Sequence, residues 1–150
     1  MPKGLFKETS IEKKVRKELR KLKLRWKQNC SIKSGGLVGE HFNVDFLVDI
    51  CDKDGNKVNE CVIECNGDYF HSHPKKYLKE QYDEIQKSNY YRDVKKMAVL
   101  NVFYSYVILW ECEINERGFS KRFRLLFEEA RSEILAGKKF EYWHDRNVFV

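Results

Sequence analysis

The sequence of 150 residues has no apolar run near the roughly twenty residues that a membrane-spanning helix needs. Its longest, residues 102–110, is interrupted by Ser105. The opening MPKGLFKETS lacks a hydrophobic stretch followed by a small-residue cleavage site, so it does not read as a secretory signal. The five cysteines are odd in number and have no paired spacing. Without an export signal they point to reduced thiols and a cytoplasmic location rather than a disulfide framework. Only two prolines and eight glycines occur, and no repeat, low-complexity tract or linker divides the chain, so residues 1–150 are expected to form one domain.

What is present is a 42% hydrophobic, 14% aromatic composition, enough for one core. There are also 29 Lys and Arg against 23 Asp and Glu. The resulting charge of +6 suits a polyanion, although charge alone does not separate DNA from RNA or from an anionic membrane.

Residues 9–26 place Ile11, Val15, Leu19, Leu22 and Trp26 on one helical face, and Thr9 with Glu12 has capping-box spacing. Gly35, Gly36 and Gly39 mark a loop. Residues 41–51 and 57–66 read as strands joined by a turn at residues 52–56. That turn is not a calcium loop, because its glycine stands fourth rather than sixth and no Glu stands twelfth. A polar loop at residues 66–76 precedes a helix expected over residues 77–99, with Leu78, Tyr82, Ile85, Val94, Met97 and Ala98 as its apolar positions. Residues 103–110 read as a buried strand, and residues 119–135 as an amphipathic helix ended by Ala136 and Gly137. The aromatic residues 140–150 must dock or pair. The expected order is helix, hairpin, helix, strand, helix.

The sharpest local feature is Asp45 on one hairpin strand, with Glu64, Cys65, Asn66 and Gly67 on the next and His71 four residues beyond the glycine. Side chains alternate along a strand, so Glu64 and Asn66 face one side, Ile63 and Cys65 the other. A register pairing residues 44–46 with residues 62–64 brings Asp45 and Glu64 within reach of one hard cation, for which magnesium is suited. Phosphodiester hydrolysis needs an activated water and a cation to neutralise developing charge. An imidazole ordinarily titrates near neutrality, the chemistry needed at His71 to take a proton or polarise the phosphate. The ordinary alternatives are a surface role for His71 beside His73, a capping role for Glu12 and a solvated ion pair for Asp93 beside Arg92.

The segments TSIEKK at 9–14, VDF at 44–46, VIECNGDYFHSH at 62–73, YRD at 91–93 and VILWEC at 107–112 together resemble the very-short-patch-repair (Vsr) endonucleases. These and the related EDxHD homing endonucleases of phages belong to the PD-(D/E)xK nuclease superfamily. The resemblance runs from about residue 9 to residue 114, in order, and no single motif carries it. It implies an α/β restriction-endonuclease-like core, a central mixed β-sheet flanked by helices. It makes Glu12 the helix glutamate, Asp45 the metal-binding aspartate, Asn66 the variable position, His71 the histidine and Asp93 the final aspartate that orients it. The residue aligned with Cys65 gives the metal a backbone carbonyl.

The departures are specific. Asn66 replaces a second histidine of the Vsr pattern and cannot act as a base, though it can contact phosphate or water. Glu64 replaces an aromatic residue and adds a carboxylate to the metal set. The superfamily's usual lysine two places on is absent. Of the Vsr zinc ligands, His73 and Cys112 are kept, while Asp68 and Lys75 stand where cysteines are expected. Lysine is a poor zinc ligand, so structural zinc is not expected and Asp68 is free to hydrogen-bond His73.

Contacts to double-stranded DNA are expected from Lys13, Arg16, Arg20, Lys75, Lys76, Lys95 and Lys96, the alternative being solvated helix faces. Tyr69 and Phe70 occupy the place where Vsr enzymes insert aromatic wedges into DNA, core packing being the rival reading. The implied activity is a magnesium-dependent DNA endonuclease, with manganese as a substitute, and the expected type is a phage-type EDxHD homing endonuclease working in the cytoplasm of a bacterial host. A mismatch or strand-specific nicking repair enzyme and an inactive nucleic-acid-binding module are the alternatives. Long-target recognition then calls for a homodimer, for the termini and the loop at residues 35–40, or for another domain.

Overall fold

The computed structural model describes residues 7–33 and 41–142. The glycine loop and the end of the aromatic tail lie outside these residues. The elements are α1 (Ser10–Lys21), β1 (Trp26–Lys33), β2 (His41–Cys51), β3 (Lys57–Asn66), α2 (Glu84–Leu100), β4 (Ser105–Trp110), α3 (Glu111–Ile114), α4 (Phe119–Leu135) and β5 (Glu141–Tyr142). A single 3-10 turn, Lys79–Gln81, precedes α2.

The chain is an α/β protein with a five-stranded mixed sheet in the order β1-β2-β3-β4-β5. β1, β2 and β3 are antiparallel, and β3, β4 and β5 are parallel. Parallel neighbours need a crossover, which α2 supplies between β3 and β4. The two apolar layers lie on opposite sides of the sheet. Ile11, Val15 and Leu19 of α1 and Phe119, Phe123, Phe127, Ala130 and Ile134 of α4 pack with Phe46, Val48, Ile63 and Leu109. Met97 and Leu100 of α2 pack with Val44, Val62, Tyr106, Ile108 and Trp110. Fully buried side chains such as Leu19 and Phe46 each contribute roughly 1.5–3 kcal/mol of transfer free energy.

One feature of the antiparallel half positions the site. Val44 packs with the α2 layer and Phe46, two residues on, with the α1 and α4 layer. Its neighbour β1 does the same, with Trp26 on one side and Cys30 and Ile32 on the other. The exchange falls between Gln28↔Phe46 and Cys30↔Val44, which sets Asn29 against Asp45. Asn29 has φ 50°, a left-handed conformation that asparagine tolerates better than most residues. Asp45 thus stands where the strand turns over.

Four expectations are corrected. The first helix stops at Lys21, and Trp26 belongs to a strand that the periodic reading absorbed into that helix. The stop is a Schellman arrangement: Leu24 N donates to Leu19 O at 3.2 Å and Lys23 N to Arg20 O at 3.0 Å, with Lys23 at φ 56°. The second helix begins at Glu84, not near residue 77, because Asp83 and Gln86 form a reciprocal capping box; Leu78 and Ile85 are exposed rather than core. Ala98, expected on the apolar face, is also exposed. The strand at residues 105–110 excludes Phe103, which is exposed on the turn before it. Strands β2 and β3 and helix α4 have the expected bounds, and Gly137 at φ 82° follows α4 as expected.

Lysine in the left-handed region costs about 1 kcal/mol that glycine avoids. Lys23→Gly is therefore expected to raise unfolding free energy by up to about 1 kcal/mol in urea denaturation; a loss of that size would contradict the Schellman stop.

Candidate active site

An open cleft of about 450 Å³ lies between the start of α1, the middle of β2 and the end of β3. Glu12, Asp45, Glu64, Cys65, His71 and Lys96 line it, with Tyr69 and Phe70 at its edge. Each element delivers its residue for a local reason. Thr9 caps α1, receiving Glu12 N at 3.3 Å, and its hydroxyl donates to Glu12 Oε1 at 2.9 Å. Capping therefore holds Glu12 without using its second oxygen, Oε2, which is buried and has no hydrogen-bond partner. Asp45 Oδ2 accepts from Cys65 N at 2.7 Å, tying β2 to β3 just past the paired residues Phe46 and Ile63. Glu64, in parallel register with Ile108, is 6% exposed.

Burial without enough donors shifts all three carboxylates upward. Desolvation raises Glu12, and nearby Asp45 adds to it. Desolvation raises Asp45 against the opposing pull of the Cys65 amide, Lys96 and His71. Glu64 is pushed up to about 8, chiefly by burial with Asp45 and Asp93 adding, while Lys96 opposes. Mutually repelling carboxylates, two of them buried and one with an unpaired oxygen at Glu12 Oε2, form a donor set that fits a hard divalent cation.

The loop after β3 presents the histidine. His71 N donates to Gly67 O at 3.1 Å, and His71 Nδ1 lies 2.6 Å from Asp93 Oδ2 on α2. Asp93 is thus joined to His71 rather than to a neighbouring arginine. α2 also holds the loop backbone: Gln86 Nε2 donates to Tyr69 O at 3.0 Å, Asn89 Nδ2 donates to Phe70 O at 2.9 Å, and the Tyr69 hydroxyl bonds Asp83. Ser72, buried at φ 56°, turns the chain between the two histidines. His71 stays at the cleft, while His73 is buried edge-on against Trp110 with ring centroids 4.9 Å apart.

Several expected residues lie elsewhere. Asn66 is buried and lines a small separate cavity with Glu64, Asp93, Lys96 and Tyr106, so it does not face the open cleft where phosphate contact was expected. Phe70 is 56% exposed and Tyr69 is also exposed, which removes the core-packing reading of this pair. Arg16 is held by Glu8 through two bonds of 2.8 and 3.1 Å. Lys13, Arg20, Lys75 and Lys95 are exposed.

Asp68, His73 and Cys112 have ligand atoms within 4.8 Å of one another. However, Asp68 Oδ2 accepts from Lys76 Nζ at 2.6 Å, and His73 Nδ1 accepts from Lys75 N at 3.1 Å. A closed structural zinc site takes four ligands, and among the described residues only these three converge. The link of Asp68 to His73 includes a backbone bond, His73 N to Asp68 O at 2.8 Å.

Lys96 is the residue that the sequence reading misplaced. Expected among phosphate contacts, its ammonium instead donates to Asn43 O at 2.8 Å and pairs with Glu64 Oε1 at 3.2 Å. Its position one helical turn after Asp93 was the available signal.

No protein-family model, curated protein or solved structure matches this chain.

Glu64 yields a pH prediction. Unfolded, it releases its proton in the ordinary carboxylate range near 4.5, whereas burial in the folded chain pushes this up to about 8. Between these the folded chain binds more protons than the unfolded one, so stability falls as pH rises through that window. In chelator, the melting temperature is expected to drop from pH 5 to pH 8.5. Glu64→Gln should flatten the drop and raise the value at pH 8.5 by about 5 °C or more; an unchanged slope would remove Glu64 as its source.

Proposed function

We propose that the chain is a magnesium-dependent DNA endonuclease, similar in its site to the Vsr and EDxHD enzymes. The supporting observation is the unpaired, buried carboxylate oxygen of Glu12, which shares one cleft with Asp45, Glu64 and the His71–Asp93 pair. Asp45, Glu64, Glu12 and the Cys65 carbonyl are the groups that would hold the ion or its waters. Magnesium, when bound there, supplies charge neutralisation at the phosphate and a more acidic water.

The chain's own residues supply the remainder. With Asp93 accepting from Nδ1–H, the His71 ring keeps Nε2 unprotonated for the cleft, so it can take a proton from an attacking water. Asp93 then stabilises the imidazolium that forms. The loop bonds from Gln86 and Asn89 hold the ring in place before substrate arrives. The exposed Tyr69 and Phe70 at the cleft edge suit contact with bases, and Lys13, Arg20, Lys75 and Lys95 suit phosphates. In the finer reading the enzyme is a phage-type homing endonuclease of the bacterial cytoplasm, with dimerisation as one route to a long target.

Supercoiled plasmid incubated with magnesium is expected to be nicked and linearised, with manganese as a substitute and chelator abolishing both. Asp45→Ala and His71→Ala should each lower the rate by at least about 100-fold. Nicking without linearisation favours the strand-specific repair enzyme. An intact protein that binds varied DNA and cleaves none is the inactive binding module, and the enzyme reading falls.

A further inference from the structure

Lys96 has an environment that a phosphate-seeking surface lysine would not have. Its side chain is 18% exposed, its ammonium donates to the carbonyl of Asn43, and it pairs with a Glu64 side chain that is itself 8% exposed. Asn43 lies two residues before Asp45, so the strand that carries the aspartate also anchors the ammonium. Lys96 is therefore a fixed charge of the site.

The charges around the cleft are few. Glu12, Asp45, Glu64 and Glu111 are the carboxylates that line it; Glu111 Oε1 accepts from Asp68 N at 3.1 Å, and Asp93 bonds His71. Two-metal hydrolases hold their ions about 3.5–4 Å apart, bridged by shared oxygens. Here the Glu64 Oε1 that would serve a second ion faces an ammonium at 3.2 Å. Glu12 is 8% exposed, and its unpaired Oε2 remains for the first ion's shell.

We propose that Lys96 takes the place of a second metal ion, so that the site holds one divalent cation and one fixed ammonium. The inference rests on the endonuclease reading and narrows it. A lysine charge needs no loading from solution, so the dependence on metal concentration is that of a single ion. Glu64 becomes the bridge between the ion and Lys96.

The test is a manganese titration of the full chain followed by electron paramagnetic resonance of the free ion, counted relative to Asp45→Ala, with circular dichroism confirming folding of each variant. The intact chain is expected to hold one Asp45-dependent ion. Lys96→Met should hold two and cleave plasmid at least tenfold more slowly, and Lys96→Arg should hold one. Two Asp45-dependent ions in the intact chain, or one in a folded Lys96→Met, overturns the inference and leaves the endonuclease reading standing. No Asp45-dependent ion in the intact chain overturns that reading as well.

Discussion

Three carboxylates converge where the sheet has few donors to offer them, and most of the surrounding structure is arranged around that unfavourable contact. Desolvating a carboxylate without pairing it costs free energy that folding must supply from elsewhere. The cost is met by the two apolar layers, which bury Leu19, Phe46, Ile63, Phe123 and Trp110 on either side of the sheet. The layers also hold the carboxylates in place. Asp45 stays half-buried because its strand exchanges faces there, against the left-handed Asn29, and because the Cys65 amide fixes one of its oxygens.

α2 is the element that serves most of the site at once. Gln86, Asn89, Asp93, Lys96 and Leu100 recur at steps of three and four residues, so they form one stripe along the helix. The stripe runs from loop anchors, through the partner of His71 and the partner of Glu64, to a core leucine. A helix with this mixed stripe cannot show clean apolar periodicity. That explains both why its start was misread and why its polar residues matter to the site.

Legibility in the sequence followed the strength of local signals. β2, β3 and α4 were legible because alternation, a turn with Gly55 and a full apolar face each act over a short span. β1 was not, because Trp26 continued the helical spacing of Leu19 and Leu22 and the stop used Lys23 in place of a glycine. In the site, Asp45 and Glu64 could be brought together by counting register from the turn. His71 and Asp93 are 22 positions apart with no local pattern linking them, so their 2.6 Å contact is legible only through the family resemblance. Lys96 was misread because a lysine on a charged helix looks like solvent-facing charge until the strand opposite it is known.

Arg16, Lys76 and Lys96 are each paired with a carboxylate of the chain itself, which leaves the net charge of +6 unchanged but makes these three cations less available to a phosphate than composition suggests. Of these, Lys76 and Lys96 neutralise groups that would otherwise attract cations, at Asp68 and at Glu64. Under the proposed function, a lysine thus stands at each of the two places where an ion could sit. The first closes a structural corner beside Cys112, and the second leaves an open one beside Asp45. What separates the two is the supply of unpaired oxygen: Asp68 has Lys76 and the Cys112 amide for its carboxylate, whereas Glu12 keeps Oε2 without a partner. A buried acceptor with no donor is unstable by itself. It lies on the same cleft as His71, so under the proposed function this corner, rather than the one at Asp68, is where a cation would gain most.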